Sequence, residues 1–173
     1  SAGADIAEIR AVTDEQEAHA QARRGQAVLG KLSSRKAVTI AAILVNCLGG
    51  GAELALACDN LIGSDFDKTR IGLPEVQLGI LPGFGGTQRL PRLIGLTSAL
   101  PVVLTGKPLD VRKALKLGVL DEVVPPASLR DSSREAARSA IEGKGKRYNP
   151  TRNRRTQLKP QGEKISPRRT FIR

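Results

Sequence analysis

The feature that most constrains the fold is an apolar run that leads almost directly into three consecutive glycines. Residues 37–45 (AVTIAAILV) are followed by glycines at 49–51 and then by strong helix formers. An apolar run without polar alternation predicts a strand that is buried on both faces. Glycines that lead into helix formers predict a tight turn at the start of a buried helix. This segment therefore predicts a strand–turn–helix unit.

Strand and helix signals alternate along the rest of the chain. Polar residues with an apolar position every third residue predict a helix over 5–32. Short strands are predicted at 61–63 and 119–124, and Pro74 predicts an extended or turning segment at 71–75. Further helices are predicted at 88–94 after a Thr87 cap, at 97–104 after a Thr97 cap, at 111–117 between Asp110 and Gly118, and at 128–141. The alternation predicts an α/β architecture.

The positive charge is concentrated in the last quarter of the 173-residue chain. Residues 1–129 carry 14 Lys and Arg against 13 Asp and Glu, whereas residues 130–173 carry 14 against 4. After Gly143 the sequence has no apolar period, so it cannot bury enough surface to offset its chain entropy. We therefore predict a domain over residues 1–142 and a basic, disordered tail over 143–173. Because aromatic residues are almost absent from the tail, base stacking is poorly supported and no specific nucleic acid is expected.

The residue content argues against several other classes of protein. Two cysteines, Cys47 and Cys58, cannot form a disulfide scaffold or a four-ligand zinc site, and we expect both to pack in the core. The single histidine, His19, lies in a polar stretch, and we predict no metal site. No apolar run reaches the roughly 18–20 residues that span a bilayer. With no signal peptide evident, a soluble, reducing compartment is expected.

The glycine turn predicts a site for developing negative charge. Free amides at the start of a helix attract anions, but the Lys-Ser/Thr pair of a phosphate-binding loop is absent and Glu53 follows instead. A carboxylate would repel a phosphate, whereas it suits a neutral substrate that becomes negative only in the transition state. A turn that merely allows close packing, with Glu53 in a salt bridge, is the structural alternative.

Glu75 is a second carboxylate with apolar neighbours, and it precedes another glycine-rich loop at 78–87. If Glu53 and Glu75 line one pocket, they can divide acid and base roles, with burial raising one pKa toward neutral. A solvated loop carboxylate is the alternative for Glu75.

These segments together resemble the enoyl-CoA hydratase/isomerase (crotonase) superfamily. The resemblance is carried by SAGAD at 1–5, CLGGGAE at 47–53, and LPE through PGFGGTQRL at 73–90. Residues 73–125 are particularly similar to the hydratase region of the multifunctional α subunits of fatty-acid oxidation complexes. The resemblance covers about residues 1–140 and implies an α/β fold with a crotonase-like ββα spiral core. Since the family's sequences extend further before the SAGAD turn, we expect an N-terminally incomplete domain with little activity alone.

The resemblance also assigns site residues. Backbone N–H groups of Ala4 and Gly50 would form an oxyanion hole for the thioester oxygen. Glu53 and Glu75 match the catalytic pair that deprotonates water and protonates the substrate α-carbon, the latter mainly through Glu75. The implied substrate- and water-binding residues are Gly49, Gly51 and Gly83.

The implied activity is enoyl-CoA hydration in fatty-acid β-oxidation, which converts trans-2-enoyl-CoA to 3-hydroxyacyl-CoA. No cofactor is implied because coenzyme A is part of the substrate. The implied partners are the acyl-CoA thioester and either a trimer-type homo-oligomer or a thiolase subunit, in the bacterial cytoplasm, with mitochondria and peroxisomes left open. An enoyl-CoA isomerase, which generally needs one catalytic acid, is an alternative. Another is an inactive remnant whose basic tail binds polyanions.

Overall fold

Strands and helices alternate in the computed structural model, which describes Gly3, Ala7 and residues 11–144. The strands are β1 (Ile40–Ile43), β2 (Asn46–Leu48), β3 (Asn60–Ser64), β4 (Arg70–Gly72), β5 (Leu109–Asp110) and β6 (Glu122–Val124). The α-helices are α1 (Glu15–Ser33), α2 (Gly50–Ala55), α3 (Gly86–Ile94), α4 (Leu96–Thr105), α5 (Val111–Leu117) and α6 (Leu129–Ile141). Short 3₁₀ helices cover Pro74–Leu78 and Pro126–Ser128. The α/β prediction is confirmed, whereas the predicted disordered tail lies outside the described residues beyond 144.

The strands form two small sheets. In the first, β3 lies between β1 and β6 and is parallel to both. In the second, β4 lies between β2 and β5, parallel to β2 and antiparallel to β5. The strand predicted over residues 37–45 is therefore confirmed only in part, and its predicted burial on both faces is wrong. That segment contains only β1, in which Ala42 is exposed, and the chain then crosses to the second sheet before β2.

Leu44 marks the point at which the chain leaves the first sheet. Its carbonyl accepts hydrogen bonds from the hydroxyls of Ser64 and Thr69, two fully buried side chains. Buried carbonyls need such partners, and these hydroxyls supply them at the bend. Because the donors lie 20 and 25 residues further along the chain, hydrophobic periodicity around Leu44 does not reveal the bend.

Two predicted helix caps are wrong for a common reason. Helix α3 begins after Gly85 (φ 106°) and α4 begins after Gly95 (φ 81°), with no side-chain cap at either start. Thr87 and Thr97 therefore lie inside the first turns of these helices. Glycines that adopt positive φ start each helix earlier than a threonine cap would.

Other element predictions hold, some with different bounds. Asp110 caps α5 by accepting from the Lys113 amide at 2.7 Å, and Gly118 ends that helix in the left-handed region. The described part of the predicted first helix is interrupted at residues 12–14, and α1 starts after Asp14, whose carboxylate caps it. The last predicted strand is confined to β6, and α6 matches its prediction closely.

The core is aliphatic and is formed by residues of both sheets and of helices α2 to α5. Its buried members include Ile43, Cys47, Leu56, Leu61, Ile71, Leu73, Leu90, Leu93, Val102, Leu109 and Leu120. Core packing is confirmed for Cys47, whereas Cys58 is only partly buried. Glu53 is among the most deeply buried side chains, with 1% of its surface exposed. A carboxylate at that depth needs partners.

Candidate active site

The turn between β2 and α2 depends on glycine. Gly49 adopts φ 56° and ψ −133°, a conformation open mainly to glycine. Its amide donates to the Gly72 carbonyl of β4 at 3.0 Å, which fixes the turn to the second sheet. Helix α2 starts at Gly50 and continues through the buried Gly51. The first N–H groups of an α-helix have no acceptor within the helix, so the Gly50 amide is available to a group from outside it.

The backbone of Gly3 lies directly against this turn. A Cβ atom on Gly3 would stand 3.1 Å from the Gly50 nitrogen and 3.2 Å from the Leu48 oxygen. The resemblance assigns the two halves of an oxyanion hole to Gly50 and to Ala4, the residue after Gly3. The structure therefore places Gly3, the residue before Ala4, next to Gly50. Ala4 lies outside the described residues, and its role stays a prediction.

Glu53 on α2 is held by the second glycine-rich loop. Its Oε1 accepts hydrogen bonds from the amides of Phe84, at 2.8 Å, and Gly86, at 2.7 Å. Both donors are backbone amides. The alternative considered above, in which Glu53 forms a salt bridge with a side-chain cation, is therefore not what these two bonds show. A Cβ on Gly86 would lie 3.0 Å from Oε1, so glycine there permits the close approach. Sequence analysis singled out both the glutamate and the loop, but not the hydrogen bonds between them.

Glu75 lies in the 3₁₀ helix Pro74–Leu78 and has different surroundings. Its Oε2 is buried and has no hydrogen-bond partner among the described residues. The two carboxyls are close enough for the charge of Glu53 to raise the pKa of Glu75. The structure thus brings together the two glutamates that sequence analysis identified, and it favours a shared site over a solvated loop position for Glu75.

The two carboxyls differ in what opposes their burial. Burial raises the pKa of Glu53, but the amides of Gly86 and Phe84 and the charge of Arg89 stabilise its anion and oppose that rise. Burial also raises the pKa of Glu75; its own backbone amide opposes that rise, and the negative charge of Glu53 adds to it. The carboxylate of Glu53 thus has two backbone donors at Oε1, whereas the buried Oε2 of Glu75 has none among the described residues.

The loop that holds Glu53 is anchored on helix α1. Gln26 donates from Nε2 to the Gly83 carbonyl at 2.8 Å. The Phe84 ring packs so closely on Gly25 that a Cβ there would lie 2.2 Å from Cδ1 of the ring. Gly83, predicted to line the water side of the site, therefore faces α1 with its carbonyl. Sequence analysis missed Gly25 and Gln26, because a helical pattern does not show which of its residues contact a loop that lies far along the chain.

The arrangement suits acid–base chemistry on a polarised neutral substrate. The buried Glu53 and the partly buried Glu75 have unlike hydrogen-bond surroundings, and Glu53 lies on a helix whose first amide has no acceptor within the helix. Among the described residues, no group of three or more His, Cys, Asp or Glu side chains is placed to hold a metal ion. No helix in the described part is long and apolar enough to cross a membrane.

Comparisons with known sequences identify the family of the chain. The profile of the family described as enoyl-CoA hydratase/isomerase matches residues 1–158. The chain is 52% identical over 153 residues to the fatty acid oxidation complex subunit alpha of Vibrio parahaemolyticus, which covers 88% of this chain and 22% of that protein. Its counterpart in Vibrio campbellii is 57% identical over 130 residues, covering 75% of this chain and 18% of that protein. The chain thus spans about a fifth of the length of these relatives.

Solved structures confirm the fold. The enoyl-CoA hydratase of Geobacillus kaustophilus HTA426 superposes with a TM-score of 0.76 at 42% identity, covering 80% of this chain and 52% of that one. Human mitochondrial delta3-delta2-enoyl-CoA isomerase superposes with a TM-score of 0.74 at 29% identity, covering 82% and 54% of the two chains. The fold is crotonase-like, as the resemblance implied. With a family profile that spans most of its length, the chain belongs to the enoyl-CoA hydratase/isomerase family.

Proposed function

We propose that this chain carries the site of an enoyl-CoA hydratase of fatty-acid β-oxidation, which adds water to trans-2-enoyl-CoA and yields 3-hydroxyacyl-CoA. One observation carries the proposal: Glu53, which is buried, and Glu75, which has a buried Oε2, are close enough to interact electrostatically and lie near the turn at which α2 begins. Coenzyme A is part of the substrate, and no further cofactor is proposed.

The thioester oxygen would accept hydrogen bonds from the backbone N–H groups of Gly50 and Ala4. Negative charge grows on this oxygen as water adds to the double bond, so donors placed there stabilise the transition state more than the substrate. In comparable sites the loss of one such donor raises the barrier by about 3–4 kcal/mol. Gly49, Gly51 and Gly83 would line the substrate and water positions, where the lack of side chains leaves room.

The two glutamates would act on a single water. Glu53, whose anion is stabilised by two amides, takes a proton from water as its oxygen bonds to the β-carbon of the substrate. Glu75, in its protonated form, delivers a proton to the α-carbon. One proton then passes from Glu53 to Glu75 and restores the starting state. No proton or electron is gained or lost by the protein over the cycle.

The relatives suggest the setting in which this site works. Both Vibrio proteins are bacterial subunits of a complex, so we include in the proposal a bacterial cytoplasmic location and assembly with a thiolase-type subunit or with further copies. The alternative in which a basic tail binds polyanions concerns residues outside the described part.

Isomerase activity is the second candidate, and the likeness to the human isomerase favours it. Shifting a double bond requires removal of one proton and addition of another, for which one carboxylate can suffice. The amide-held Glu53 would then have no role, whereas hydration uses it. The presence of Glu53 beside Glu75 therefore favours hydration.

The test is an assay of the 173-residue chain alongside a chimera in which it replaces the matching 153 residues of the Vibrio parahaemolyticus relative. Loss of enoyl-thioester absorbance and chromatography of the products separate hydration from a shifted double bond. We expect the chimera to form 3-hydroxyacyl-CoA. A chimera that only moves the double bond, or whose hydration is unchanged by Glu75→Gln, would refute the proposal.

A further inference from the structure

Arg89 is a buried charged residue that the proposed mechanism leaves without a role. It lies on α3, and only 9% of its surface is exposed. Arginine is rarely buried to this extent unless it is paired. Its Nη1 donates to the Phe84 carbonyl at 2.7 Å, while its Nε has no partner in the described part of the chain. The guanidinium therefore makes a strong, charge-assisted bond to the loop that holds Glu53.

The position of that bond matters. The Phe84 carbonyl belongs to the peptide between Phe84 and Gly85, and the amides that bind Glu53 belong to the peptides on either side of it. Rotation of the middle peptide would turn both neighbouring amides away from Oε1. By holding its carbonyl, Arg89 restrains this rotation. Both donors to Glu53 therefore depend on one interaction of Arg89.

Gly85 fits this arrangement in two ways. It adopts φ 106°, which few side chains tolerate, and a Cβ there would lie 2.4 Å from Nη1 of Arg89. The guanidinium therefore packs directly on the backbone of Gly85. A side chain at that position would displace Arg89 as well as strain the loop. This is a reason for glycine that the turn alone does not supply.

Charge adds to the geometry. The positive charge of Arg89 opposes the effect of burial on the pKa of Glu53, and the charge of Glu53 in turn favours protonated Arg89. The other charged group that acts on this pair from the 3₁₀ helix is Glu75, which repels Glu53. On α3 itself, Arg92 repels Arg89. Arg89 is thus a cation whose charge acts on Glu53.

We propose that Arg89 is a positioning residue, which fixes the peptide after Phe84 so that the amides of Phe84 and Gly86 bind Glu53. The catalytic meaning of this arrangement rests on the proposed function. The arrangement itself does not, and it can be measured in the chain without substrate.

The experiment titrates the side-chain carboxyl carbon of Glu53 by NMR in the 173-residue chain, together with the amide resonances of Phe84 and Gly86. The variants are Arg89→Gln, Arg89→Lys and the control Arg92→Gln, which removes a positive charge from an exposed position of the same helix. In Arg89→Gln we expect the Glu53 midpoint to rise by about one pH unit and both amide resonances to move. Arg89→Lys should reverse part of the rise in the Glu53 midpoint, and Arg92→Gln should leave that midpoint nearly unchanged.

Unchanged Glu53 titration and amide resonances in folded Arg89→Gln would overturn the proposal. If that variant does not fold, the wild-type chain decides: the Arg89 guanidinium nitrogen resonances should shift with the same midpoint as Glu53, and independent behaviour would overturn it. In the active chimera, Arg89→Gln should lower kcat about tenfold or more with little change in KM, and should move the pH profile upward. A chimera without activity would refute the proposed function but leave the titration test of Arg89 unaffected.

Discussion

Glu53 and Glu75 are the same residue type in opposite surroundings. Glu53 extends from α2 toward a glycine-rich loop and receives two backbone donors at Oε1. Glu75 extends from a 3₁₀ helix, and its buried Oε2 has no partner among the described residues. The comparison shows how one fold gives identical side chains unlike surroundings. Two backbone amides and the charge of Arg89 stabilise the anion of Glu53, whereas the anion of Glu75 has its own backbone amide and is repelled by the charge of Glu53.

The largest expected effect is on turnover. In the chimera, Glu75→Gln should lower kcat by about 10²–10⁴-fold, the range for loss of a general acid, because an amide cannot deliver a proton to the α-carbon. The fall should be in kcat more than in KM. Glu122→Gln, at an exposed position of β6, is the matched control and should leave turnover unchanged. An equal loss of kcat in Glu122→Gln would show that the effect is not specific to Glu75.

A second prediction concerns the contact between helix α1 and the loop that holds Glu53. Gly25→Ala should destabilise the chain by about 1–3 kcal/mol, because the new methyl group overlaps the Phe84 ring. Gly30→Ala in the same helix has no atom within 4 Å of the new Cβ, so its helix propensity should stabilise the chain by up to about 1 kcal/mol. Urea unfolding measures both. Two changes of the same sign would contradict the contact between α1 and the loop.

The sequence alone predicts the parts of this site that depend on local residue types. The glycine triplet, the second glycine loop, the two glutamates and the Asp110 cap follow from neighbouring residues. The amides that hold Glu53 do not, because they lie 31 and 33 residues further along the chain. The bend at Leu44 and the packing of Phe84 on Gly25 are missed for the same reason. Each depends on which distant backbone group the fold brings near.

The third prediction compares the effects of the two carboxyls on stability. Near neutral pH, Glu75→Gln should raise the free energy of unfolding by about 1 kcal/mol, because burial and the charge of Glu53 oppose ionisation of Glu75 in the folded chain but not in the unfolded chain. Glu53→Gln should raise it by less, because the amides of Phe84 and Gly86 and the charge of Arg89 offset part of the cost of burying its charge. Chemical denaturation of the 173-residue chain measures both values. A larger gain in stability from Glu53→Gln would contradict the contrast between the two sites.

The smallest expected effect is on the pH dependence of stability. Burial raises the pKa of Glu75 in the folded chain above its unfolded value of about 4.3. Between these two values the folded state binds more protons, so stability falls as pH rises through this window. Glu75→Gln should flatten that fall. Denaturation at a series of pH values from 4 upward measures how the free energy of unfolding depends on pH. If this dependence is the same in Glu75→Gln, the carboxyl of Glu75 is solvated and the account is contradicted.

The central claim is that Glu53 and Glu75 act as one unit on a single water, and a double-mutant cycle on kcat in the chimera tests it most directly. If each Gln substitution alone lowers turnover by about 10²–10⁴-fold, independent groups would give the product of the two losses. If the two groups act together, the turnover of the double variant should be little lower than that of the less active single variant. The account predicts that second result for Glu53→Gln combined with Glu75→Gln, and multiplicative losses would contradict it.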